Sequence, residues 1–390
     1  MIYERLEVGR VVNAEGTKTV LGGSIMPPEV IEAMREAAGW YVDLPELHRA
    51  AGRHLAALLA CPAIEDVAIV SGAAAGLTVA TAACVAGTDP ARIRALPHLD
   101  WPGAKDRVVI QRSHVTGFAQ NYRNAGPRLV EIGGPAGATP EEFAAAIDER
   151  TAAVTFLGGE LPGNARYPTR TTLAQLVELA HARGVPVIVD AAAELPPPEH
   201  LRLLNLLGAD LVIFSGGKGL RGPQASGLIL GRAELIEACR LNNSPYSSIG
   251  RPMKVGKEEL CGLVRAVELY LEHDHAADLR RWEGWTQLVL DATHALDGVT
   301  VERFLHRTIP HARITIDASR AGTTAAAVAS RLKEGRPSIR LGLAGDALVF
   351  NPHMLQEEAE AALVAARLVE TIHTGRGTAA AGHPAAAART

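Results

Sequence analysis

Lys218 stands in "VIFSGGKGLRGPQASG", Val212 to Gly227, where an apolar, strand-like run ends in a serine and the lysine is crowded by glycines. A solvated surface lysine needs no such neighbours. A lysine whose amine must meet a bulky flat ligand does, because glycine lets the backbone come close. Two other apolar runs end in unusual chemistry. "VPVIVD" closes on a carboxylate, Asp190, 28 residues before the lysine. "VAIVSG" closes on Ser71, Gly72, Ala73 and Ala74, small residues that open a helix. Helix N-termini with free N–H groups bind phosphate, and in open α/β sheets ligands sit beyond the carboxyl ends of the strands. A phosphate seat at Ser71–Ala74 and Ser215, a buried acid and a lysine at neighbouring strand ends suit one ligand, pyridoxal 5′-phosphate. On this reading Lys218 forms the Schiff base. Asp190 keeps the pyridine nitrogen protonated, so that the ring accepts the electrons released when a bond at the substrate Cα breaks. Lys218 has to lose its proton to attack an aldehyde, which desolvation and nearby positive charge favour.

These residues need a scaffold that brings strand ends together. The apolar runs at 67–72, 106–114, 151–159, 185–192 and 209–217 are short and continuous, the pattern of strands buried on both faces. They alternate with helical stretches at 73–87, ended by Gly87, and 171–184, ended by Gly184. Repetition of strand, helix, strand predicts an α/β fold with a mainly parallel sheet covered by helices. After Gly256 the texture changes. A long proline-free helical stretch is followed by β-like runs at 300–307 and 312–319, a helix, and "SIRLGLAGDALVFNP". This predicts a smaller α+β domain. The expected division is an N-terminal arm over 1–25, a large domain over 26–255, a small domain over 256–373 and a frayed, low-complexity tail over 374–390.

Composition narrows the class. The chain has 390 residues, 47% of them hydrophobic and 21% charged, as in ordinary globular proteins. A net charge of −4 and the lack of a dense Lys/Arg run argue against nucleic acid as a partner. No apolar run approaches the ~18 residues that would span a bilayer, and the N-terminus carries no basic-then-apolar signal pattern, so a cytoplasmic protein is expected. The four cysteines, Cys61, Cys84, Cys239 and Cys261, form no CxxC pair and read as reduced core thiols. The 14 histidines show no metal-ligand spacing, so no metal is expected.

"VIVDAAAELPP" followed by the lysine of "FSGGKGLRGPQASGLILGR" resembles fold-type I pyridoxal-phosphate enzymes, and within them the group of selenocysteine synthase and D-glucosaminate-6-phosphate ammonia lyase. "VVNAEGTKTVLGGSIMPPEV" is similar to that group's N-terminal arm, "IVSGAAAGLTVATAACVAG" to its phosphate turn, and "IGRPMKVGKEELCGLV" to its linker into the small domain. The resemblance covers roughly residues 10–270. It implies an aspartate aminotransferase-like fold with a seven-stranded-type sheet in the large domain. It implies Lys218 as Schiff-base lysine and proton shuttle at Cα, and Asp190 as partner of the ring nitrogen. It implies His114 stacked on the ring, and phosphate contacts from Ser71 to Ala74 and Ser215. Arg251 and Lys254 fall where a neighbouring subunit reaches phosphate or substrate, which implies a homodimer or a higher assembly of dimers. Asn13 is implied at the site entrance. Glu194 stands where the group leads one to expect a neutral amide. Arg340 is offered as a carboxylate clamp, and His353 as another basic contact.

The expected function is action at Cα of a small polar amino acid, by β-elimination and ammonia release giving a 2-oxo acid. Glu194 or His114 would protonate the departing group. Racemisation and retro-aldol cleavage begin with the same lysine and are the alternatives. A non-catalytic or tRNA-docking scaffold is the reading of another class, and the charge balance speaks against it.

Overall fold

The computed structural model describes residues 2–158 and 167–380. Its strands, in chain order, are β1 Val11–Ala14, β2 Asp66–Val70, β3 Arg107–Gln111, β4 Arg128–Ile132, β5 Thr151–Leu157 and β6 Val187–Asp190. They continue with β7 Leu211–Ser215, β8 Gly227–Gly231, β9 Val299–His306, β10 Ile309–Ile316, β11 Ser338–Ala344 and β12 Ala347–Phe350. The chain divides into two units, one over Ser24–His273, the other formed by the segment up to Gly23 together with the chain from Asp274 onward.

The Ser24–His273 unit is built on a seven-stranded sheet of order β2-β8-β7-β6-β5-β3-β4. The pairs β3–β4, β3–β5, β5–β6 and β6–β7 are parallel, whereas β8 runs antiparallel to both β2 and β7. Alternation along each strand explains the continuous apolar runs. Val187, Val189, Val212 and Phe214 enter one core. Ile188, Leu211 and Ile213 enter the core on the opposite face. The Ala73–Ala86 helix is apolar all round and packs in that second core, with Leu77, Val79, Ala80 and Ala83 buried. A helix without a polar face must be covered on every side. Gly76 lets it sit tight on the sheet, since a Cβ there would lie 2.8 Å from Ile213 Cγ2.

The other unit carries a five-stranded sheet of order β1-β11-β12-β10-β9. Its core holds Trp282, Trp285, Val289, Ile314, Phe350 and Leu368. Three expectations are corrected. The N-terminal segment is not a separate arm: β1 pairs parallel to β11, and its alternate residues Val12 and Ala14 are buried in this unit's core. The helical stretch after Gly256 is two helices, Lys257–Glu272 and His275–Thr293. The first buries Leu260, Leu263 and Val267 in the larger unit, and the second starts where the Asp274 side chain accepts the Ala277 N–H at 2.9 Å. The unit boundary therefore falls at His273 rather than at 255. The expected tail is helical at its start, because the last helix runs Glu358–Ala380; residues 381–390 lie outside those described. Among the described residues no helix is long and apolar enough to cross a membrane.

Candidate active site

Strand alternation carries the chemistry to one face. Asp190 follows Ile188 by two residues in β6, and Ser215 follows Ile213 by two in β7, so both belong to the face on which the Ala73–Ala86 helix packs. The helix N-terminus meets β8 there. A Cβ on Gly227 would lie 2.9 Å from the Gly72 carbonyl carbon and 3.1 Å from the Ala73 nitrogen, and Gly227 is the register partner of Ser215. Gly72 adopts a φ of 118°, open only to glycine. The first helical bond runs from the Gly76 N–H to Gly72 O at 3.0 Å, so the N–H groups of Ala73, Ala74 and Ala75 have no acceptor within the helix. Ser71, Gly72, Ala73, Ala74 and Ser215 thus form one neighbourhood.

Asp190 is 8% exposed. Burial raises its pKa, while the Ala192 N–H donated to Oδ1 at 3.0 Å and the charge of Lys218 act in the opposite direction. Lys218 is half-buried in the turn after β7. That turn is closed by Gly216 N–H to Ser226 O at 2.8 Å, Gly222 N–H to Gly216 O at 2.8 Å and Arg221 N–H to Lys218 O at 3.0 Å. Ser24 and Ile25 tie it down from outside, through Ser24 Oγ to Gly217 O at 3.1 Å and Arg221 Nε to Ile25 O at 3.0 Å. The glycines here are also demanded by the protein itself. A Cβ on Gly216 would lie 2.1 Å from Ser226 Oγ, on Gly217 2.5 Å from Gln224 Cα and on Gly219 2.6 Å from Leu195 O.

A small pocket lies beside Asp190, lined also by His114, Tyr122, Thr155, Phe118 and Leu157. His114 is 3% exposed, and burial pushes its pKa down to about 4 against a backbone contact from Tyr167. Its Nδ1 accepts the Leu157 N–H at 3.0 Å, and its ring meets Phe156 edge-on at 4.7 Å. A histidine held neutral in this way is not the acid that the sequence offered for the departing group. Glu194 is 6% exposed, and a Cβ on Gly158 would lie 2.7 Å from its Cγ, so the glycine ending β5 makes room for this side chain.

Tyr122 and Thr155 escaped the sequence reading. Burial raises the Tyr122 pKa, followed by the charge of Asp190, while a hydrogen bond with the Thr155 hydroxyl lowers it. Thr155 stands two residues before Leu157, the register partner of Asp190, and so shares its face. A hydroxyl inside the apolar run "TAAVTFL" was the available signal. Tyr122 lies on a single helical turn, Gln120–Arg123, with no pattern to mark it.

Arg251 and Lys254 are exposed, and among the described residues neither forms an ion pair. Asn13 and Arg340 belong to the other unit, where β1 and β11 place them directly opposite each other. Asn13 Nδ2 donates to Gly16 O at 2.9 Å, and Arg340 Nε lies 3.4 Å from Ser338 Oγ. His353 of the same unit packs its ring on Trp282 at 5.0 Å.

The site fits pyridoxal phosphate by its donor set. Backbone N–H groups at a glycine-opened helix end suit an anion, and a buried carboxylate that burial penalises, beside the ring of His114 and the hydroxyls of Tyr122 and Thr155, suits a protonated ring nitrogen. Fold and site together define a pyridoxal-phosphate-dependent enzyme of fold type I. The chain belongs to the family described as SelA, L-seryl-tRNA selenium transferase, whose model matches residues 11–281. It is 40% identical over 352 residues to a 5′-C-glycyluridine monooxygenase-decarboxylase of a Streptomyces species, covering 87% of this chain and 84% of that protein. It is 33% identical over 379 residues to the D-glucosaminate-6-phosphate ammonia lyase of Salmonella typhimurium strain 14028s, covering 95% and 97%. A solved structure of D-glucosaminate-6-phosphate ammonia-lyase matches with a TM-score of 0.81 at 31% identity, over 96% of this chain and 99% of that one.

Proposed function

We propose that the protein is a cytoplasmic lyase that uses pyridoxal phosphate to remove a β-substituent and ammonia from a small polar amino acid or amino sugar acid, leaving a 2-oxo acid. The observation that carries this reading is the pairing of β6 with β7, which sets the buried carboxylate of Asp190 and the Lys218 turn at neighbouring strand ends. The ammonia lyase relative, aligned over almost the whole chain, supports the reaction type. When bound, the cofactor supplies an electron sink for the bond broken at Cα. Lys218 would hold the cofactor and, once released from it, would serve as the base and acid for the proton at Cα. Asp190 keeps a proton on the ring nitrogen. Ser215 and the N–H groups of Ala73 and Ala74 hold the phosphate, with Ser71 and Gly72 shaping the turn. His114 packs on the ring as a neutral side chain. Glu194 is then the acid assigned to the departing group, a role that contributes about 10²–10⁴ in rate. Arg251 and Lys254 reach the phosphate or substrate of a second subunit, so the working form is a homodimer or an assembly of dimers.

A second reading has a specific observation behind it. The relative at 40% identity is named a monooxygenase-decarboxylase, so loss of the substrate carboxylate with consumption of oxygen is the competing outcome. Both are tested by supplying D- and L-amino acids, amino sugar acids and glycyl nucleosides in deuterium oxide. The lyase reading expects ammonia and a 2-oxo acid in equal amounts, deuterium at Cβ and no oxygen uptake. Oxygen uptake with carbon dioxide release selects the second reading. Labelled amino acid without ammonia means racemisation, and glycine or alanine plus an aldehyde means retro-aldol cleavage. Either of these overturns the proposal.

A further inference from the structure

Gln111, the last residue of β3, is 0% exposed, and its side chain is fixed at both ends. Its carbonyl oxygen accepts the Ala138 N–H at 2.9 Å, and the Thr169 hydroxyl lies 3.3 Å from the same oxygen. A backbone N–H can only donate, so the oxygen and nitrogen of this amide cannot exchange places. The NH₂ end therefore faces His114, 2.8 Å from Nε2 and 3.1 Å from Nδ1. Nδ1 also receives the Leu157 N–H at 3.0 Å. An imidazolium carries N–H on both nitrogens and has no acceptor. With Nδ1 accepting from Leu157, the neutral ring carries its proton on Nε2, and a backbone hydrogen bond with Tyr167 favours the charged form. Against that, protonating Nδ1 would turn the one acceptor shared by the Leu157 and Gln111 N–H groups into a donor facing both.

We propose that Gln111 is a positioning residue that holds His114 neutral, so that positive charge in the ring layer is confined to the cofactor nitrogen opposite Asp190. The role toward the cofactor rests on the function proposed above. A cation stacked on a protonated pyridine ring would repel it at contact distance, and a neutral imidazole packs there without that penalty. Burial of His114 acts in the same direction. Among the described residues, the other titratable groups lining the pocket are Asp190 and Tyr122, and burial raises both. Neither is a source of positive charge.

The test is Gln111→Glu, which keeps the shape and the acceptor for the Ala138 N–H while turning an acceptor toward His114. In the apoprotein, the His114 titration midpoint read by NMR should rise by about one pH unit or more above the wild-type value. Cofactor affinity relative to wild type should then fall below the new midpoint and recover above it. Asp190 and Tyr122 are common to both proteins and cancel in that ratio. Gln111→Met, which removes the facing donor without adding an acceptor, should raise the midpoint by less. An unchanged His114 midpoint in either variant overturns the inference, as does an affinity loss in Gln111→Glu that is the same at every pH. The apoprotein titration needs no cofactor, so it stands or falls separately from the cofactor assignment.

Discussion

Asp190 is a carboxylate whose burial disfavours its charge, against the Ala192 N–H and the charge of Lys218, which favour it. Asp190→Asn should therefore leave the thermal stability of the apoprotein unchanged or raised, because it removes a buried charge. The same substitution should weaken cofactor binding by roughly tenfold or more, the worth of a charge-assisted hydrogen bond. Equilibrium dialysis and thermal unfolding of the apoprotein measure the two effects, and a lowered apoprotein stability with intact affinity would reverse the assignment. His48 and His114 carry a pH dependence. Burial pushes both down to about 4, with the charge of Arg240 adding to the effect on His48. As pH falls the unfolded chain takes up these protons first, since its histidines titrate near ~6.5. The stabilisation is complete above that value and is lost as pH falls toward 4, by roughly 3 kcal/mol for each histidine. Asp190, whose pKa is raised, opposes this, so Asp190→Asn is the cleaner background for the measurement. Denaturant midpoints that stay flat between pH 7 and 5 in that background would contradict the buried-neutral state.

At the scale of elements, the Lys218 turn is closely packed, its glycines lying against Ser226, Gln224 and Leu195. Gly219→Ala would press a methyl group against Leu195 O, 2.6 Å away, and should destabilise the protein by about 1–3 kcal/mol while displacing Lys218. Thermal unfolding of the apoprotein and cofactor affinity should fall together. Much of this architecture is legible in the sequence. The runs ending at Asp190, Ser215 and Ser71 are strands or strand ends as read, because both faces of the sheet are covered and the runs are continuously apolar. The helix from Ala73 stops at Gly87, as the turn chemistry required. What the sequence hid depends on partners far along the chain. Val12 and Ala14 become strand residues only through pairing with β11, more than three hundred residues away in sequence order. The break at His273 follows from which unit buries each helix, and no local signal beyond the capping Asp274 marks it. The Lys218 glycines were read as admitting a ligand; their close approach to Leu195, Gln224 and Ser226 is visible only in three dimensions. His114 was read as a residue of the ring face; that it lines one pocket with Asp190, with Gln111 and the Leu157 N–H at its ring nitrogens, rests on contacts no spacing rule reveals.

For the molecule as a whole, the exposed Arg251 and Lys254 have their proposed role only across a subunit boundary. Lys218→Ala and Arg251→Ala proteins, each impaired alone, should recover part of the activity when mixed and allowed to exchange subunits. A fully active monomer in ultracentrifugation would exclude shared sites. All of this presupposes that the cofactor is joined to the chain at one lysine. The direct measurement is borohydride reduction of the protein loaded with pyridoxal phosphate, followed by proteolysis and mass spectrometry. The predicted result is a single modified peptide carrying the cofactor on Lys218, absent from Lys218→Ala. Modification spread over surface lysines, or modification of another residue at full occupancy, would contradict it.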